Sequence, residues 1–211
     1  MNSQSWRTET TAIAMVVGMF LSAWVAAQDA EYVGQQKCKM CHNKPTTGEQ
    51  WNKWKQTKHA EAYKALLTDP AKEYAKKAGL QKPPEESPEC LRCHVTAVDA
   101  KTGAFHPQLP KEESIQCESC HGPGSKHLEY GKKMLLVKGA PPSDVPTNIL
   151  KPDEKTCLTC HNNESPAWKP DKYTLEDGSK AGFDFKQALA QVVHLNPEKK
   201  HEPAPAATGK K

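Results

Sequence analysis

The sequence predicts a mainly α-helical chain with long irregular connections, little or no β-structure and an interior not built from aliphatic side chains. Three observations lead there. Beyond position 27, Leu, Ile, Val and Phe together make up about 14% of the residues, a level usually associated with disorder. The formal net charge of +4 over 211 residues is too small to keep the chain unfolded by self-repulsion. Helical spacing of apolar residues occurs in short stretches separated by Pro-rich ones, and no segment shows convincing strand alternation. Something other than aliphatic side chains must fill the middle.

Residues 1–27 read as an export signal. Arg7 gives a positive start, partly offset by Glu9, and Ala12 to Ala27 is uncharged and ends in small residues. An apolar run this short falls below the ~20 residues of a membrane span. Cleavage after Ala27, with Val25 and Ala27 as the small residues, is expected; an uncleaved anchor is the alternative. The mature region divides into one domain, 28–197, and a disordered basic tail, 198–211. No basic stripe is interleaved with aromatics, which argues against nucleic acid as a partner.

Within the domain, Thr46 and Glu49 form a predicted capping box for a helix carrying Trp51, Trp54, Ala62 and Leu66 on one face. That helix should stop before Asp69-Pro70, where a second one begins and runs to Gly79. Lys82–Glu89 (KPPEESPE) reads as a linker. Gly122-Pro123-Gly124 is a tight turn that lets backbone pass close to a bound group. Ser125 is expected to cap a helix through Val137, ended by Gly139. Ala140–Pro152 is Pro-rich, and Asp184 with Gln187 marks the start of a last helix stopped by Pro197.

All eight cysteines fall into four copies of one pattern: CKMCH (Cys38, Cys41, His42), CLRCH (Cys90, Cys93, His94), CESCH (Cys117, Cys120, His121) and CLTCH (Cys157, Cys160, His161). Four disulfides or zinc ligands would use the cysteines but would not explain a histidine after every second one. Covalent c-type haem attachment does. Two thiols at this spacing reach the two vinyl groups of one haem, and the adjacent imidazole meets the iron from one face. The chain is therefore read as a multihaem c-type cytochrome with a haem-centred core and four covalently attached c-type haems. That is one macrocycle per ~46 mature residues, enough to replace the missing aliphatic interior.

Five histidines lie outside the motifs: His59, His106, His127, His194 and His201. The mature region has only Met40, inside a motif, and Met134, so bis-histidine irons of low potential are expected. His59 shares the apolar helix face and His127 follows the third site, so both are candidate ligands. His194 sits off the apolar stripe of its helix; it is either a ligand, with the helix sandwiched against haem, or solvated. His201 belongs to the tail, and loop-borne His106, in Phe105-His106-Pro107, fits either role.

On these residues the chain resembles the tetrahaem cytochrome c-554 family of ammonia-oxidising bacteria. The resemblance rests on the four CxxCH sites in similar order, the WNKWKQTKHA segment with His59, and CESCHGPG from Cys117 to Gly124. CLTCH followed by Ser165, Pro166 and Trp168, and a final helix ending near His194, complete it. The resemblance implies a mainly α-helical fold with haems in stacked pairs. It implies His127 opposite His42, His59 opposite His121 and His194 opposite His161. The haem held by His94 would then be five-coordinate and open to small molecules, unless His106 closes it. The segment between the fourth site and the last helix, Ala167 to Gly182, is much shorter than in the family. The implied role is a periplasmic electron carrier between a hydroxylamine oxidoreductase-like donor and a quinone-linked or small cytochrome acceptor. Reduction of nitric oxide at the His94 haem is the alternative.

Overall fold

The computed structural model describes residues 30–99, 101–135 and 149–194. The predicted export signal, the helix end at Val137–Gly139, most of Ala140–Pro152, Pro197, His201 and the predicted tail lie outside the described residues. The described architecture is mainly helical, as expected. Short helices α1 (Gln35–His42), α2 (Gln50–Lys55), α3 (Ala62–Leu66), α4 (Asp69–Lys77) and α5 (Pro88–His94) occupy the first half. Then come α6 (Cys117–His121), α7 (Ser125–Leu135), α8 (Glu154–Leu158) and α9 (Phe185–Val192). A two-residue hairpin, β1 (Tyr173–Thr174) antiparallel to β2 (Lys180–Ala181), precedes α9.

The single helix expected around Trp51–Leu66 is broken into α2, a 3-10 turn over Lys58–Glu61, and α3. Thr57 causes the break: its backbone is extended, and its hydroxyl donates to the Trp54 carbonyl at 2.7 Å. A threonine that bonds back to a carbonyl one turn earlier competes with helix propagation. The capping box does not form either. Glu49 itself is the N-cap, in left-handed conformation and without a side-chain cap bond; its carboxylate instead accepts from Asn52 Nδ2 at 3.2 Å. Likewise Ser125 is not a cap but the first residue of α7. Its hydroxyl accepts from Glu31 N–H at 2.8 Å, and Gly124 supplies the first helical carbonyl to Leu128 N–H. The Asp184 cap is present, accepting from Gln187 N–H at 2.8 Å.

The stretch read as a linker, Lys82–Glu89, is a packed element. Pro84–Glu86 forms a 3-10 turn, and Pro84 and Ser87 are buried against the α3, α4 and α5 region. Proline at a helix start costs no hydrogen bond, so the same composition that suggests a linker also suits a rigid corner. α3, α5 and Val95 just beyond α5 bury an apolar cluster of Tyr63, Leu66, Leu91 and Val95.

An extended segment, Ser114–Gln116, straps this cluster to the rest. Ile115 N–H donates to the His59 carbonyl at 3.2 Å and its own carbonyl accepts from Trp54 Nε1 at 2.8 Å. The Ser114 carbonyl accepts from Thr96 N–H, and its hydroxyl accepts from Tyr63 N–H, both at 3.1 Å. Ser114 takes φ +61 to do so, a conformation non-glycine residues adopt only when the surroundings over-determine it.

Candidate haem sites

Each motif histidine is positioned by a local element. α1, α5 and α6 all end on the motif histidine itself, His42, His94 and His121. In the fourth motif the helix stops at Leu158, so Cys160 and His161 lie on the following turn. All eight cysteines are free and partly buried; none is used in a disulfide, so each thiol is available to a haem vinyl group.

Sites one and three meet, and so do sites two and four. α1 packs on α6, and the neighbouring Cys38 and Cys117 thiols act on each other, which pulls Cys38 below the ordinary thiol range and pushes Cys117 above it. Cys93 and Cys160 form a second such contact; it raises Cys93 and lowers Cys160 to about 6. Burial raises Cys120 to about 11. The Arg92–Glu164 ion pair, 2.7 Å, ties the second motif to the residues just after the fourth.

Three motif histidines face a histidine from outside the motifs. His42 lies opposite His127 with ring centroids 6.0 Å apart and planes 23° apart. His161 lies opposite His59 at 5.9 Å and 66°. His121 lies opposite His194 at 5.8 Å and 67°. An iron bound by two imidazoles needs nitrogens ~2 Å away on each side, which puts ring centroids roughly 6 Å apart. The spacing fits a bis-histidine iron at all three sites.

Of the implied pairs, His42 with His127 is present; the other two are exchanged. His59 faces His161 rather than His121, and His194 faces His121 rather than His161. The cause is the tie between sites two and four. His94 Nδ1 bonds the Ala62 carbonyl at 2.6 Å, and Cys160 Sγ reaches the Arg92 carbonyl. The fourth motif is thereby carried to the 3-10 turn that bears His59. The end of α9 instead shares a groove with Lys53, Gln56 and Thr57 of the α2 end, beside α1, which itself packs on α6.

Second contacts fix the rings. His42 Nδ1 bonds Gln50 Oε1 at 3.2 Å, His121 Nδ1 the Leu150 carbonyl at 2.8 Å, and His194 Nδ1 the Val192 carbonyl at 3.1 Å. Occupying Nδ1 leaves Nε2 for a metal. Burial pulls His59, His161 and His194 below the usual imidazole range, with Lys172 adding to the effect at His59. Neutral imidazole is the form that ligates iron. Phe183 stacks on His161 at 5.3 Å and 20°. Among the described residues, no ring is stacked on or edged against His94. His106 packs on Tyr32 at 5.4 Å instead.

Sequence reasoning missed one group at these sites. Glu118, the second residue of the CESCH motif, is 3% exposed. Its carboxylate accepts from Val33 N–H at 2.9 and 3.2 Å, Gly34 N–H at 2.8 Å and Gly124 N–H at 2.7 Å. The available signal was the Gly-Pro-Gly turn, whose left-handed Gly122 (φ +75) curls the Gly124 amide back onto the motif. Beside it, Gln116 accepts from Gln35 N–H at 2.7 Å, and Gln35 accepts from the Trp51 indole N–H.

Four motifs that use every cysteine, on a helical scaffold that sets imidazoles face to face, define a multihaem c-type cytochrome that carries electrons. The resemblance read from the sequence is borne out by known proteins. The family described as "Cytochrome c554 and c-prime" matches residues 37–122. Cytochrome c-554 of Nitrosomonas europaea is 29% identical over 205 residues, covering 90% of this chain and 85% of that protein. The solved structure of the reduced state of cytochrome c554 from Nitrosomonas europaea matches at 27% identity and a TM-score of 0.46, covering 78% of this chain and 79% of that one. The chain carries covalently bound c-type haems, four by its motifs, and exchanges electrons with redox partners. Among the described residues, no helix is long and apolar enough to cross a membrane.

Proposed function

We propose that this chain is a periplasmic tetrahaem electron carrier in which His127, His59 and His194 complete the coordination of the irons held by His42, His161 and His121. The observation that carries this reading is the set of three histidine pairs at 5.8–6.0 Å. Haem supplies the one-electron Fe(III)/Fe(II) couple. The polypeptide's contribution is to keep both imidazoles in place in either oxidation state, through the Nδ1 bonds of His42, His121 and His194. A carrier needs no acid or base, only fixed ligands and short gaps between sites, and the Cys38–Cys117 and Cys93–Cys160 contacts provide the gaps. The export signal at 1–27 favours the periplasm. The proposed partners, a hydroxylamine oxidoreductase-like donor and a quinone-linked or small cytochrome acceptor, are those the family resemblance implies. EPR of the ferric holoprotein tests the ligands. Three low-spin signals are expected, one differing from the other two because the His42 and His127 planes are near parallel. A fully high-spin spectrum would refute the proposal.

A second reading, reduction of nitric oxide at the His94 site, is favoured by His94 being the one motif histidine with no facing ring among the described residues. It requires one high-spin haem that binds nitric oxide and turns it over. Entirely low-spin haem indifferent to nitric oxide would exclude it.

A further inference from the structure

Among the described residues, Glu118 is a buried carboxylate in no ion pair. Its three hydrogen-bond donors are all backbone N–H groups, and none of the ion pairs among the described residues includes it. Three N–H donors and no acceptor around the two oxygens suit the ionised form. The group sits where the first and third haem attachments meet: it follows Cys117 in sequence, and its charge acts on both the Cys117 and Cys38 thiols. Dipoles rather than a counter-charge stabilise it, so its field is not cancelled locally. In a water-poor interior that field reaches further than it would in solvent.

We propose that Glu118 is a potential-setting residue: its fixed negative charge biases the haems anchored at Cys38/Cys41 and Cys117/Cys120 toward the ferric state. Reduction is uptake of one electron per iron from a redox partner, with no bond formed or broken. Each electron adds negative charge beside a carboxylate that cannot move away or find a cation. Among the described residues, the attachments at Cys90/Cys93 and Cys157/Cys160 have no such buried carboxylate; there the neighbouring charges are the Arg92 guanidinium, which acts on Cys93 and Cys160, and the solvent-exposed carboxylates of Glu89, Asp153 and Glu154, which act on Cys90 and Cys157. The proposal requires haem at these cysteines but no particular donor or acceptor, so it can fail while the carrier reading stands.

The test is a potentiometric titration of holoprotein, comparing wild type with Glu118→Gln and Glu118→Asp. Both variants strain the clamp, but only Gln removes the charge. Glu118→Gln should raise two of the four midpoint potentials, each by about tenfold in the reduction equilibrium, ~59 mV for a one-electron couple. Glu118→Asp should leave them near wild type. Four unchanged potentials in Glu118→Gln, or equal shifts in Gln and Asp, would overturn the proposal. If Glu118→Gln yields no holoprotein, redox-difference infrared spectroscopy of wild type with isotope-labelled glutamate decides. A labelled carboxylate band that shifts as two of the haems are reduced supports the role, and no such band refutes it.

Discussion

The third and fourth haem motifs hold the same chemical groups by opposite means. α6, with Cys117, Cys120 and His121, is embedded: Glu118 is buried on three backbone amides, Ser119 bonds Thr96 at 2.8 Å, and Gln116 N–H bonds Thr96 Oγ1 at 2.7 Å. α8 has no buried residue. It is held by the Asp153 cap, by the Arg92–Glu164 pair, whose side chains are 29% and 63% exposed, and by Phe183 stacked on His161. Polypeptide contacts therefore preassemble the third site, whereas the fourth depends on its cofactor and on the His59–His161 pairing. The family match over residues 37–122 takes in the first three motifs and stops short of the fourth.

The sharpest break should come at Glu118. Glu118→Ala leaves two buried N–H groups and a part-buried one without an acceptor, and each orphaned buried donor costs about 1–3 kcal/mol. Loss of most of the holoprotein, or a fall of several kcal/mol in denaturant stability, is expected. Glu164→Ala at the fourth site removes a largely exposed ion pair worth ~0–1 kcal/mol. Equal losses in the two variants would erase the contrast. Next in size are the ligand changes. His59→Ala should turn the haem at Cys157/Cys160 from low-spin to high-spin, and His194→Ala the haem at Cys117/Cys120. Only His59→Ala should also lower the thermal midpoint markedly, because less else holds its site. An EPR spectrum in which His59→Ala alters the third haem instead would restore the pairing that the family resemblance implied.

Much of this was legible in sequence, for a physical reason. CxxCH is a local covalent requirement, so its eight cysteines and four histidines can be read without a fold. The Asp184 cap and the Gly79 helix end (φ +70) are local too. Pairing His59 with His161 is not. It depends on long-range contacts, His94 Nδ1 to the Ala62 carbonyl and Cys160 Sγ to the Arg92 carbonyl, and nothing in the WNKWKQTKHA segment encodes those. The helix break at Thr57 was missed because the apolar spacing of Trp51, Trp54, Ala62 and Leu66 continues across it, while one hydroxyl decides the backbone. Glu118 carries no local signal of its role, because the amides that define it, of Val33, Gly34 and Gly124, converge on it only in the fold.

The fourth site offers its own intermediate test. Gly182 packs its backbone against the Trp168 indole, and a Cβ there would overlap the ring. Trp168 N–H bonds the Ser165 carbonyl at 3.0 Å, so the Ser-Pro-x-Trp element and the hairpin are pressed together at this point. Next in sequence is Phe183, the ring against His161. Gly182→Ala should therefore cost about 1–3 kcal/mol by overpacking and disturb the low-spin signal of the haem at Cys157/Cys160. The signals of the first and third haems should stay unchanged. A change at all sites would mean that the fourth is not a separable unit.

The smallest effect should come from acid, and again at α8. The Asp153 carboxyl lies below its usual range because Thr156 donates both its backbone N–H and its hydroxyl to it. A carboxyl depressed in the folded state contributes stability above its ordinary value and loses it as pH falls through the folded value. The cap should thus hold at neutral pH and weaken only below about pH 4. Hydrogen exchange at the Thr156 amide should then quicken. Asp153→Asn keeps an oxygen for the Thr156 amide but has nothing to titrate. Its Thr156 exchange, corrected for intrinsic rate, should not depend on pH in this window. If wild type and Asp153→Asn lost protection together on acidification, the weak point of the fourth site would lie in its histidine pair rather than in its helix cap.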